Sequence, residues 1–106
     1  MGFTQASALA SSSAQVLDRL RECIEVSQYS AQTARTYLRW ARAFLRWQQL
    51  NNNHGWQPRE LGPGEVNDFM AMLAERPGMS PATHRQALSA LLFLYRHVLG
   101  RDLLLS

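Results

Sequence analysis

The sequence predicts an all-α fold, a single bundle of four helices. Four segments carry apolar residues at spacings of three and four, and each is bounded by a helix start or stop signal. No stretch alternates apolar with polar residues as a half-buried strand does. A length of 106 residues with 46% hydrophobic residues suits one compact core and is short for two domains.

The first helix, α1, is predicted over 14–26, burying Val16, Leu20, Cys23 and Ile24. On its polar face Asp18 is spaced to pair with Arg21, and Arg21 with Glu25. Residues 1–13 are rich in Ser and Ala and carry no charged side chain, unlike a secretory signal or a mitochondrial presequence. Met1-Gly2 is not followed by the Ser or Thr of a myristoylation signal, because Ala6 stands there. This stretch reads as a disordered arm, with the helical domain over 14–102.

The second helix, α2, is predicted over 32–50, after a Ser27–Ser30 turn whose serine suits a cap. Tyr37, Trp40, Ala41, Phe44 and Gln48 define its core side. The run Asn51–Gly55 ends it, since Asn and Gly tolerate the left-handed conformation, and a loop with Trp56 and Pro58 follows. The third helix, α3, opens at Gly62-Pro63-Gly64-Glu65, with proline early and glutamate in the first turn. Val66, Phe69, Met70 and Leu73 point inward, the outer face is acidic, and Arg76-Pro77-Gly78 stops the helix.

The fourth helix, α4, opens at Ser80-Pro81 and runs to about Leu99, before Gly100. Leu88, Leu91, Leu92, Tyr95, Val98 and Leu99 make one broad stripe. Ala87, Ala90 and Leu94 extend apolar surface around the circumference, which suits the central helix of the bundle. No internal repeat is evident. The apolar residues 103–106 leave no room for a further element and read as the start of a linker to an absent domain.

Charge is concentrated. All eleven basic residues are Arg, and Lys is absent. From Val26 to Arg59 there are five arginines and no acid, whereas the remainder holds six arginines against eight acids. On a helical wheel of 100° per residue, Arg35, Arg39, Arg42 and Arg46 fall within about 60° of one another, opposite the core side of α2. They span on the order of 16 Å along the axis, enough to reach several successive phosphates of a duplex. A solvated surface helix usually interleaves Glu with Arg; α2 has no acid. Its arginines repel one another by a few tenths of a kcal/mol per pair, and a polyanion relieves that repulsion.

The start of α4, Ser80-Pro81-Ala82-Thr83-His84-Arg85-Gln86, gathers hydrogen-bonding side chains where free N–H groups attract anions. Ser80 suits an ordinary cap, with Thr83 beside it. His84 lies one turn before Leu88, a position compatible with burial or with contact to a polyanion, whereas Arg85 and Gln86 turn outward. Trp40 belongs to the core; Trp47 and Trp56 suit plugging the open end of the bundle or stacking on bases.

Several function classes find no support. No apolar run spans a membrane. Lone Cys23 forms no internal disulfide and reads as a buried thiol of a reducing compartment, so a cytoplasmic protein is expected. His54, His84, His97 and Cys23 show no metal-ligand spacing. There is no nucleophile elbow and no phosphate-cradling glycine loop. No catalytic residue, metal or cofactor is expected.

Tyr29-Ser30, Thr33, Tyr37, Trp40 and Phe44, then Val66, Phe69 and Leu73, then Ser80, Thr83 and the run His84–Leu88 with Ala90–Phe93, Tyr95 and Val98-Leu99 form a pattern. It resembles the amino-terminal core-binding domain of tyrosine recombinases, and in detail the integron integrases, over roughly Val16 to Leu103. The resemblance implies a four-helix, SAM-like domain that clasps one side of a recombination site through α2 and α4. Thr33 joins Arg35, Arg39, Arg42, Arg46, Ser80, Thr83, His84, Arg85 and Gln86 as DNA-binding candidates. Also implied are a separate catalytic domain with a phosphotyrosine chemistry, assembly with other recombinase protomers, and sites that are duplex DNA or folded single-strand hairpins. The chain departs from the complete enzyme in lacking any Lys, and Tyr29, Tyr37 and Tyr95 match the helical domain rather than the nucleophile. The Asn51–Trp56 loop is longer than the subfamily suggests. A competing reading, a helical protein-interaction module, rests on the acidic face of α3 and the apolar residues Leu103–Leu105.

Overall fold

The computed structural model describes residues 5–51 and 62–100, with side chains from residue 13 onward. Its elements in order are α1 (Gln5–Ser27), α2 (Ala31–Asn51), α3 (Pro63–Ala74) and α4 (Pro81–Leu94), which continues as a π-helical segment, Tyr95–Leu99. Among the described residues there is no strand, and the fold is all-α. His54, Trp56, Arg59 and the linker over 103–106 lie outside the described residues.

The first helix starts earlier than its apolar pattern suggests. The helix spans Gln5–Ser27, so it takes in residues before the predicted start at 14. The stretch 5–13 holds no Gly or Pro, and its three alanines are the strongest helix formers. Gln49 Nε2 donates to Ser13 Oγ at 3.4 Å, joining the end of α2 to α1. Val16, Leu20 and Ile24 are buried as expected. Cys23 is only half-buried, and its thiol donates to the His97 carbonyl at 3.4 Å. The helix closes on Gln28, a non-glycine residue at φ 60°.

Trp40, Ala41, Phe44, Leu45 and Gln48 are the buried residues of α2. In α3, Val66, Phe69, Met70 and Leu73 are all buried, as the periodicity predicts. The Gly62 N–H donates to Glu65 Oε1 at 2.6 Å, so the first-turn glutamate is spent on the helix start.

On α4 the buried line differs from the leucine stripe. Ala87, Ala90, Leu91, Leu94 and Tyr95 are fully buried, while Leu88, Val98 and Leu99 are half-buried. Leu92 is 38% exposed, which corrects its place in the predicted core. The two alanines, like Ala41 of α2, are fully buried, so their side of α4 faces the core. Leu92 is thereby turned out. The π-helical segment ends at Gly100, whose φ of 69° gives the left-handed stop its sequence position implies.

Together α4 and its π-helical extension pack against the other three helices, making this the central element. Tyr37, early in α2, meets Phe93 at the end of α4 with ring centroids 5.4 Å apart. Trp47, late in α2, meets Phe69 of α3 at 5.5 Å, and the neighbouring Met70 carbonyl receives His84 from the first turn of α4. The two helices therefore run in opposite senses. Among the described residues no helix is long and apolar enough to cross a membrane.

Candidate nucleic-acid interface

The buried side of α2 fixes where its arginines go. With Trp40, Ala41, Phe44 and Gln48 turned to the core, Arg35, Arg39, Arg42 and Arg46 are all exposed. Among the described residues the ion pair formed is Asp18–Arg21 at 3.2 Å, so the four arginines have no carboxylate partner. The Arg39 guanidinium carbon lies 5.4 Å from the centroid of the Trp40 ring, a cation–π contact that restricts the side chain without neutralising it.

The starts of α2 and α4 share one capping arrangement. The Thr33 N–H donates to Ser30 Oγ at 3.1 Å, and Ser30 Oγ donates to Thr33 Oγ1 at 3.0 Å. The Thr83 N–H donates to Ser80 Oγ at 3.1 Å, and Ser80 Oγ donates to Thr83 Oγ1 at 2.9 Å. Each serine spends its proton on the threonine, which keeps its own hydroxyl proton for an outside acceptor. Thr33 and Thr83 are thus the hydroxyl donors at these helix starts, with Ser30 and Ser80 behind them.

His84 turns inward. Its Nε2 lies 2.9 Å from the Met70 carbonyl, a pure acceptor, so Nε2 carries the proton and donates. This contact ties α4 to α3. Arg85 and Gln86 are exposed. The carboxy-terminal part of α2 and the amino terminus of α4 both pack on α3, at Phe69 and at the Met70 carbonyl. Trp47 is half-buried on Phe69, in keeping with a plug. Burial, and secondarily the neighbouring Tyr29, raises the Tyr37 phenol above its ordinary value. Among the described residues no group of three His, Cys, Asp or Glu side chains is placed to hold a metal.

The geometry is that of a small helical platform with one cationic face. The profile of the phage integrase N-terminal SAM-like domain matches residues 16–104. The chain belongs to that family. It is 45% identical over 91 residues to an integrase/recombinase of Escherichia coli and, to the same extent, to one of Pseudomonas aeruginosa. Each match covers 86% of this chain, which spans 26% of the relative's length, about a quarter.

Within this SAM-like domain, one exposed row escaped the reading of the sequence. Arg85, Ser89, Leu92 and Arg96 are all exposed and lie along one side of α4. The signal was present in their spacing, which repeats that of Arg35, Arg39, Arg42 and Arg46. It was masked because Leu92 also fits the leucine stripe.

Proposed function

We propose that this SAM-like domain is the DNA-clasping, core-binding domain of a site-specific tyrosine recombinase of the integron integrase type. It holds one side of the recombination site through α2 and α4. Strand cleavage and rejoining belong to a further catalytic domain of the longer protein, and the partners are the DNA site, as duplex or folded hairpin, and other recombinase protomers. The observation that carries this reading is the row Arg35, Arg39, Arg42, Arg46: four exposed guanidinium groups on one helix face with no carboxylate partner among the described residues. Guanidinium forks bind phosphate oxygens in pairs, and such contacts fix the position of a protein on DNA. Thr33, Thr83, Arg85 and Gln86 add donors at the helix starts, and Ser80 and His84 hold those donors in place.

Amide-shift mapping on titration with a duplex tests the assignment. Shifts along the outer faces of α2 and α4 are expected. Shifts confined to α3 would contradict it and favour a protein-interaction module built on the acidic α3 face.

A further inference from the structure

Resting on that reading, we infer that α2 and α4 present one frame with two tasks: the α2 row holds phosphates, and the α4 row Arg85–Ser89–Leu92–Arg96 reads base edges, with Leu92 as the contact to a thymine methyl group. The caps, one buried row and one exposed row of the two helices correspond at a separation of fifty residues. Ser30 and Thr33 of the first cap match Ser80 and Thr83 of the second, with hydrogen bonds of the same kind and length. The buried residues Trp40, Ala41, Phe44 and Leu45 match the buried Ala90, Leu91, Leu94 and Tyr95. The exposed Arg35, Arg39, Arg42 and Arg46 match the exposed Arg85, Ser89, Leu92 and Arg96.

What differs is the middle of the outer row. Two arginines on α2 are replaced on α4 by a small hydroxyl and an exposed leucine. An all-arginine row is chemistry for phosphate, which is the same along every sequence. A row with cations at its ends and Ser and Leu between them suits a different surface. Arg85 and Arg96 lie roughly 16 Å apart along the axis, comparable with the ~12 Å width of the major groove plus side-chain reach. They can therefore meet phosphates at the groove walls while Ser89 and Leu92 face the floor. There an apolar side chain meets the thymine methyl, and a hydroxyl serves donors or acceptors on any base. Beside this row, the exposed Gln86 carries the amide that pairs with adenine.

The test is selection of the full chain against a pool of random duplexes of about 20 base pairs, roughly two helical turns, copied with either thymidine or deoxyuridine triphosphate. The thymidine pool should enrich one thymine position by about threefold to fourfold, the worth of one buried methyl group, and the deoxyuridine pool should not. Leu92→Ala should abolish that preference while keeping overall retention of the pool. Leu92→Arg, which makes the α4 row resemble the α2 row, should raise retention and also lose the preference. Arg39→Ala and Arg42→Ala should lower retention and leave the preference unchanged. Equal enrichment from both pools, or a preference that survives Leu92→Ala, would overturn the inference while leaving DNA binding intact. Failure of the native chain to retain either pool would overturn the DNA-clasping reading itself, and this inference with it.

Discussion

His84 Nε2 donates to the Met70 carbonyl across 2.9 Å, fastening the first turn of α4 to the middle of α3. The contact decides how a candidate DNA-binding residue acts: the ring orients the helix start that presents Thr83, Arg85 and Gln86. Replacing it with alanine removes one partly buried hydrogen bond and is expected to cost about 1 kcal/mol of stability. Urea unfolding measures this. A fall in DNA affinity with no change in unfolding midpoint would assign His84 to the interface instead.

The matched caps make matched predictions. Ser30→Ala and Ser80→Ala each remove the acceptor for a threonine N–H and are each expected to destabilise the domain by about 1 kcal/mol. Denaturant midpoints of the two variants should agree. A cost at one site and none at the other would show that the two helix starts are not equivalent.

The turn between α1 and α2 stores backbone strain at Gln28, whose φ is 60°. A side chain in this left-handed region costs on the order of 1 kcal/mol relative to glycine. Gln28→Gly is therefore expected to raise the unfolding midpoint, and a lower midpoint would show that the Gln28 side chain contributes more than its backbone costs.

Tyr37 links stability to alkaline pH. Its phenol is raised in the folded state from 10.0, so above that value the unfolded chain loses the proton first. The contribution is fully present below the unfolded value and is lost as pH rises through the folded one. The urea midpoint should fall as pH rises past the unfolded value of about 10, and Tyr37→Phe should reduce that fall. An equal fall in the variant would place the effect elsewhere.

How much of this was legible in the sequence varies by helix. The core of α3 was read in full, because Val66, Phe69, Met70 and Leu73 recur at spacings of three and four, with Asn67 and Asp68 between them on the other side. From Ala87 to Tyr95 every position but Ser89 is apolar, and hydrophobicity alone favours Leu88 and Leu92 over Ala87 and Ala90. The fold decides otherwise: the buried line runs through Ala87, Ala90, Leu91 and Leu94. Leu45 escaped notice for a related reason: it sits at the margin of the apolar sector of α2 and is buried by its neighbours. The π-helical segment Tyr95–Leu99 has no signal in residue type. The inward turn of His84 depends on where α3 lies, which no local pattern encodes. The arginine row was legible because it needs only the helical period and the absence of acids.

The central claim is that this row grips phosphate, and the salt dependence of duplex binding tests it most directly. With four to five phosphates neutralised, the slope of log affinity against log salt should be about −4, falling to about −2 when Arg39→Ala and Arg42→Ala are combined. A slope near zero, or the same slope in the double variant, would contradict it.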